Sequence, residues 1–220
     1  MADFNLLVPL LLRFEASCIP AGAESLEQAF DRCRPQAYSN RAEDAGGPTF
    51  YGITLATYRR WCRRENPQAT PPTATRLRQI SFAQWRIIAR TLCWQAIRGD
   101  LLCFNGTALM LADFYWHSGR HAIKVMQQLL NTRATTHPRP EYRKPLAEDG
   151  ILGPKTYNAL KRATALPHLN EEFIRQMAHA RRLFLTGLAA RRPTNAVFLD
   201  GWLQRVNTLE HHALSADPTD

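Results

Sequence analysis

Glu15 is an acidic side chain in an apolar setting. It follows Leu7 and Leu11 at intervals of four residues, so it continues the apolar stripe of a helix that is predicted to begin near Asn5. Arg13 is two residues away and cannot share that face. An ionised carboxylate without a partner is costly on such a stripe. Glu15 is therefore misplaced, paired with another charge, or a functional acid able to donate a proton.

Polar side chains also gather in YSNRAEDAGGPTFYGIT, residues 38–54. The Gly-Gly-Pro run at 46–48 predicts a turn in which a positive φ is cheap. Residues 49–53 favour a short extended segment, and Thr54 is predicted to cap the helix that follows. The stretch therefore predicts a small hairpin, which composition alone would equally assign to an ordinary surface loop. Its polar side chains are Tyr38, Asn40, Glu43, Asp44, Thr49 and Thr54.

The elements that must position these groups are helices. Residues 16–37 read as an insertion in which Ser25 caps a short helix and Pro35 ends it. No strand-rich region and no internal repeat is visible, so the predicted fold class is mainly α. Further helices are predicted near residues 54–64, 81–92, 107–116, 122–130, 170–190 and 194–213.

The helix at 107–116 is apolar nearly all round, which predicts that it lies in the centre of the molecule. Asp113 is its one charge. We interpret Asp113 as a buried, hydrogen-bonded carboxylate in preference to a chemical role. Downstream, Gly153 and Pro154 in DGILGPKT predict the start of another helix.

The composition indicates a globular protein with a cationic surface. The chain has 220 residues, of which 45% are hydrophobic and 21% charged, and its net charge is +9. Such a charge suits nucleic acid, anionic lipid or bacterial cell wall. Nucleic-acid-binding motifs are absent from the sequence, so we expect no nucleic-acid partner. No stretch reaches the ~20 apolar residues of a membrane span, and no signal peptide is convincing.

The five cysteines predict neither a metal site nor a cofactor, because they form no C-x-x-C pair and no metal-ligand spacing. Buried small hydrophobes are the favoured interpretation for Cys62, Cys93 and Cys103. Cys18 and Cys33 flank one segment and could pair in an oxidising compartment.

The pattern D-x-G-G-x-T-x-x-G-I-T, which begins at Asp44, resembles the signature of glycoside hydrolase family 108, the muramidases also called secretion activator proteins. FNLLVPLLLRFE resembles the first helix of that family, whose last turn carries the catalytic Glu, and RQISFAQWRIIARTLCWQAIRGD resembles the helix after the hairpin. LMLADFYWHSG, AIKVMQQLL and DGILGPKT resemble the C-terminal peptidoglycan-binding part. These pieces occur in the same order as in the family, and together they cover most of the chain.

The resemblance implies a lysozyme-like helical fold with a small Gly-rich β-hairpin and a helical C-terminal peptidoglycan-binding part. The expected domains are 1–100, catalytic and containing the insertion, and 101–220, packed against it. In the family, Glu-Gly-Gly leads straight into the hairpin, whereas here the insertion follows Glu15. An alignment without an insertion puts Pro35 at the catalytic position and implies a dead enzyme. We prefer Glu15, because the helix before it also matches and its apolar setting suits an acid.

The implied reaction is hydrolysis of the β-1,4 bond between N-acetylmuramic acid and N-acetylglucosamine in peptidoglycan glycan strands. Glu15 would protonate the leaving oxygen, and no cofactor is implied. A wider lysozyme-like comparison gives Asp44 a second-carboxylate role and Thr49 a water-positioning role. The expected substrate-binding residues are Tyr38, Asn40, Tyr51, Trp94 and Asp113, although the three aromatic rings fit a core position equally well.

Two other functions stay open at this point. One is a cell-wall-binding or regulatory protein without hydrolysis, and the other is a lytic transglycosylase, which uses one Glu and no second carboxylate. The expected place of action is the periplasm or cell wall, reached through a holin or another secretion route. Retention or inversion at the sugar carbon and the oligomeric state are not predicted.

Overall fold

The fold is mainly α, as the sequence predicts. A computed structural model describes residues 1–40, 46–135 and 144–217. The described residues form ten α-helices and one three-stranded antiparallel sheet. The chain divides into two compact units. The N-terminal unit is Leu7–Thr91, and the helical unit combines Met1–Leu6 with Leu92–Asp220.

Short polar caps begin the helices of the N-terminal unit. Ser25 and Gln28 form a capping box, and Thr54 Oγ1 accepts a hydrogen bond from the Thr57 N–H, so both predicted caps are confirmed. A helix that the sequence did not predict follows Thr73, whose side chain accepts from the Arg76 N–H. The elements are α1 (Leu7–Ala16), α2 (Leu26–Arg32), β1 (Tyr38–Ser39), β2 (Thr49–Phe50), β3 (Ile53–Thr54), α3 (Leu55–Glu65), α4 (Ala74–Arg78) and α5 (Phe82–Ala89).

The sheet corrects the predicted single extended segment at 49–53. Tyr51 and Gly52 both have positive φ values, 45° and 75°, and they form a two-residue turn between β2 and β3. Positive φ at both central residues is the geometry of tight hairpin turns. Gly47 also has a positive φ, 65°, as the Gly-Gly-Pro run predicts. The extended stretch therefore folds back on itself in the middle.

Aromatic rings fill the core of the N-terminal unit around Tyr51. Phe30 of the insertion stacks on the Tyr51 ring with centroids 4.2 Å apart. The Tyr51 hydroxyl donates to the Phe30 carbonyl at 2.8 Å, and Trp85 Nε1 donates to the Tyr51 carbonyl at 3.0 Å. All three side chains are fully buried. Residues 16–37, the predicted insertion, therefore contribute to this core.

The helical unit is built around α6, which is buried over most of its length as predicted. Its N-terminus is capped by a residue that is remote in the sequence. The Asp217 carboxylate accepts hydrogen bonds from the backbone N–H groups of Asn105 and Gly106, both at 2.8 Å. A Cβ at Gly106 would lie 2.2 Å from the Ala213 carbonyl oxygen, so only glycine fits there. The helices are α6 (Asn105–Ser118), α7 (Arg120–Thr135), α8 (Pro154–Ala163), α9 (Pro167–Arg191) and α10 (Leu199–Leu214).

The DGILGPKT motif is held by one buried glutamine. The Gln127 side-chain amide donates to Asp149 Oδ1 at 2.8 Å and to Thr156 Oγ1 at 3.2 Å, and its oxygen accepts from the Gly150 N–H at 2.9 Å. Gly150 has a φ of 72°, which favours glycine. Pro154 then opens α8 at its first position, as predicted. The motif therefore fixes the start of α8 against α7.

A buried carboxylate joins three helices of this unit. Asp113 of α6 accepts from Arg181 of α9 at 2.8 Å and from Arg205 of α10 at 2.6 Å, and the Asp113 and Arg181 side chains have no exposed surface. Burial disfavours the charged carboxylate. The two guanidinium groups, Arg205 foremost, outweigh that effect and hold the pKa of Asp113 well below its usual range. This supports the interpretation of Asp113 as a paired structural charge.

We expect Asp113→Ala to destabilise the helical unit by about 3–5 kcal/mol, because it leaves the Arg181 guanidinium buried without its partner. Urea unfolding followed by far-ultraviolet circular dichroism measures the change. Glu171→Ala is the matched control, since Glu171 pairs with Arg175 at 4.0 Å on the surface of the same unit and its loss should cost less than about 1 kcal/mol. Equal losses in the two variants would contradict the structural role of Asp113.

His117 gives the helical unit a dependence on pH. Burial, followed by the nearby Arg205 and Arg181, lowers the pKa of His117 to about 3. In the unfolded chain the imidazole of His117 binds a proton with the ordinary pKa of about 6.5. His117 therefore lowers the free energy of unfolding as pH falls from about 6.5 towards 3. The slope should approach about 1.4 kcal/mol per pH unit and should disappear in His117→Gln. Unfolding curves at several pH values test this, and an imidazole that titrates near its ordinary value by NMR would contradict it.

Candidate active site

Glu15 lies in the last turn of α1, where the chain reverses. Ser17 takes a left-handed conformation with φ 50°, and the N–H groups of Ser17 and Cys18 donate back to Arg13 and Leu12. The Glu15 side chain is half-buried, at the edge of a helix face whose leucines are buried. A carboxyl in this position is partly shielded from water.

The hairpin contributes polar groups to the same unit. Thr49 on β2 is half-buried and pairs with Ser39 on β1. Its hydroxyl donates to the Gly47 carbonyl at 2.9 Å, which leaves the oxygen able to accept a hydrogen bond. Asn40 is exposed at the end of β1. Asp44, the expected second carboxylate, lies outside the described residues, as does Glu43.

Tyr38 is half-buried on β1, and the Arg78 guanidinium lies 4.6 Å from its ring centroid. Arg34, from the end of the insertion, donates to the Arg78 carbonyl at 2.9 Å. These arginines, with Pro35, Thr75 and Gln79, line a depression of about 430 Å³. Arg34 also pairs with Asp31 at 2.5 Å, so Arg78 is the guanidinium group that makes this part of the surface suitable for an anionic ligand. Sequence reasoning missed the depression because α4, which carries Arg78, was not predicted.

Tyr51 cannot offer a ring face to a sugar in this structure. Its side chain is fully buried, and burial raises the pKa of its hydroxyl well above the ordinary value. The expectation that Tyr51 contacts substrate is therefore corrected in favour of the core alternative. The ring is enclosed because the positive φ of Tyr51 turns the side chain into the core beside Phe30.

Trp94 and Asp113 are corrected in the same way, since neither side chain has exposed surface. Trp94 Nε1 donates to Asp100 Oδ1 at 2.9 Å, and a Cβ at Gly99 would lie 2.3 Å from the indole ring. Asp113 is enclosed by its two arginines. Both residues belong to the helical unit and serve its packing.

Cys18 and Cys33 are both free and buried in the structure. The Cys18 thiol donates to the Ala29 carbonyl at 3.1 Å, and the Cys33 N–H donates to the same oxygen at 2.9 Å. Burial, with the neighbouring Cys33, raises the pKa of the Cys18 thiol to about 12. Cys93 is buried as predicted, Cys62 is half-buried, and Cys103 is exposed, which corrects the prediction that it is buried.

Within residues 1–40, 46–135 and 144–217, no group of three or more His, Cys, Asp or Glu side chains is arranged to hold a metal ion. In the same part of the chain, no helix combines the length and apolar character needed to cross a bilayer.

Comparisons with known proteins agree with this architecture. Residues 36–119 match the sequence model of the family described as Glycosyl hydrolase 108, and residues 121–207 match the one described as Predicted Peptidoglycan domain. No curated protein matches the chain. A solved structure, SagA of Brucella abortus, superposes with a TM-score of 0.64 at 25% sequence identity, over 87% of this chain and 97% of that one.

Residues 36–119 therefore belong to the glycosyl hydrolase 108 family, and the predicted peptidoglycan domain follows directly. The chain is a glycoside hydrolase of lysozyme-like type with peptidoglycan as its partner. Both the family resemblance and the mainly α fold with a helical C-terminal part are confirmed. Glu15 lies before the matched segment, so the match does not test the role expected of it.

We expect Tyr51→Phe to lower the free energy of unfolding of the N-terminal unit by about 1–2 kcal/mol, because the buried Phe30 carbonyl loses its donor at 2.8 Å. Peptidoglycan hydrolysis well below the melting temperature should change little, because the ring does not reach substrate. Thermal unfolding and a turbidity assay measure the two quantities. Lost hydrolysis with unchanged stability would show instead that Tyr51 contacts the sugar.

Proposed function

We propose that the chain is an N-acetylmuramidase that cleaves the β-1,4 bond between N-acetylmuramic acid and N-acetylglucosamine, with Glu15 as the general acid. The observation that carries this proposal is the position of Glu15. It is half-buried at a chain reversal, in the same compact unit as the hairpin at 38–54 that the family match includes.

Cleavage needs a proton on the leaving glycosidic oxygen while positive charge develops at the sugar carbon. In this proposal the Glu15 carboxyl gives its proton to that oxygen as the bond to the sugar carbon breaks. Asp44 supplies the second carboxylate, as the lysozyme-like comparison implies. Thr49 accepts a hydrogen bond from the attacking water, because its own hydroxyl proton is engaged by the Gly47 carbonyl.

Recognition of the glycan falls to the exposed edge of the hairpin. Tyr38 and Asn40 lie on or beside β1, and the Arg78 guanidinium covers part of the Tyr38 ring. Arg78 adds positive charge to the depression next to it, whereas Asp31 balances the charge of Arg34. Peptidoglycan carries carboxylates on its lactyl and peptide groups, so a cationic surface beside a sugar-binding edge suits this substrate.

Product analysis distinguishes this reaction from the alternatives. Mass spectrometry of digested sacculi should find reducing muramic acid ends. Anhydromuramic ends would indicate a lytic transglycosylase, and a folded parent protein that releases no products would indicate a wall-binding protein without hydrolysis.

Glu15→Gln keeps the shape of the side chain and removes the proton. We expect it to fold as the parent does, bind sacculi, and lose hydrolysis by at least ~10²–10⁴-fold, the usual contribution of one positioned proton donor. Turbidity loss of outer-membrane-stripped cells measures activity, and circular dichroism checks the fold.

Glu27→Gln is the matched control, because Glu27 is exposed on α2 in the same unit and should keep full activity. Asp44→Asn should also lose activity. The loss should be smaller than in Glu15→Gln, or similar if Asp44 holds the attacking water. A folded Glu15→Gln protein with near-parental lysis would place the chemistry elsewhere.

A further inference from the structure

A second cationic depression lies in the segment that matches the predicted peptidoglycan domain. It has a volume of about 200 Å³ and lies between the end of α7, the second half of α8 and the start of α9. We name it the α7–α8 groove. Its lining residues are Leu130, Arg133, Ala134, Ala159, Arg162, Ala163 and Leu169.

The lining combines a small apolar floor with a cationic rim. Leu130 is buried, and the alanines are half-buried. Arg133 is held in place by an ion pair with Glu172 at 3.2 Å, whereas Arg162 is exposed. None of the described residues lining the groove is aromatic. Sugar rings are usually bound against aromatic faces, so this lining does not favour the glycan.

The groove is preformed by the contacts that fix α8. Gln127 on α7 bonds to Asp149, Gly150 and Thr156 just before and within the first turn of α8. One turn further along α7, the Asn131 side chain accepts from the Leu146 N–H at 2.7 Å. Because these contacts fix the start of α8 against α7, the two helices need little rearrangement to bind a ligand further along α8.

We infer that the α7–α8 groove binds the peptide stem of peptidoglycan. The inference rests on the proposed function, because it assumes that peptidoglycan is the substrate. A stem peptide carries methyl groups, which fit a floor of alanine and leucine, and free carboxylates, which guanidinium groups bind in a bidentate manner. Arg162 is the residue that meets the stem carboxylate, and Arg133, whose charge Glu172 balances, lines the groove beside it.

The test uses the full chain and two probes. The first is the stem tetrapeptide L-Ala–γ-D-Glu–meso-diaminopimelate–D-Ala, and the second is glycan strands from which an amidase has removed the peptides. Isothermal titration measures affinity for the tetrapeptide and for the stripped strands, which are soluble without their cross-linking peptides, and co-sedimentation measures binding to intact sacculi. We expect the tetrapeptide to bind the parent and Arg162→Glu to weaken that binding about tenfold or more.

Lys161→Glu is the matched control, because it makes the same charge change one residue away on α8 without lining the groove. It should weaken binding by no more than about threefold, through long-range charge alone. Ala159→Phe fills the floor and should weaken tetrapeptide binding while leaving the net charge unchanged.

Several outcomes overturn the inference. They are no tetrapeptide binding at millimolar concentration, equal losses in Arg162→Glu and Lys161→Glu, or a loss of affinity for stripped strands in Arg162→Glu as large as its loss for the tetrapeptide. Release of reducing ends from sacculi is measured on the same parent protein. If it hydrolyses sacculi and ignores the tetrapeptide, only the groove assignment fails, whereas absent hydrolysis means that the proposed function itself fails.

Discussion

The helical unit depends on one buried carboxylate that two arginines share. Asp113 bonds to Arg181 and Arg205, so α6, α9 and α10 can pack only where all three side chains meet. Taking such charges out of water costs several kcal/mol each, and an apolar trio of similar volume is often at least as stable. We interpret the cluster as a device that fixes the relative position of the three helices. The surfaces beside them, including the start of α9 in the α7–α8 groove, follow from that arrangement.

Much of the fold was predictable because its signals are local. Ser25 and Thr54 cap helices through groups only three residues away, and Gly153 with Pro154 starts α8 through backbone preference alone. The carboxylate of Asp217 was not predictable, because it caps α6 across more than a hundred residues of chain. The Tyr51–Gly52 turn was missed for a different reason, since a β-favouring aromatic residue with positive φ gives no local signal of a turn.

The candidate site was less predictable than the fold. Rings such as Tyr51 and Trp94 suit a sugar-binding face and a core equally, and only long-range packing decides between them. A signal for the buried charges was present in the sequence and was overlooked. Arg181 follows Phe173 and Met177 at intervals of four residues, so it continues the apolar stripe of α9. An arginine on such a stripe indicates a buried anionic partner, just as the position of Glu15 indicates a functional or paired acid.

Residues 16–37, the predicted insertion, separate Glu15 from the hairpin in sequence and pack against the hairpin in the structure. Phe30 supplies both a stacking ring and a carbonyl acceptor to Tyr51, and Trp85 holds the other side of the same turn. These contacts bury the Tyr51 turn, whereas Thr49 on the central strand β2 is half-buried. Residues 16–37 therefore support the hairpin through its buried side, and a change at Phe30 would alter the geometry of the Tyr51–Gly52 turn.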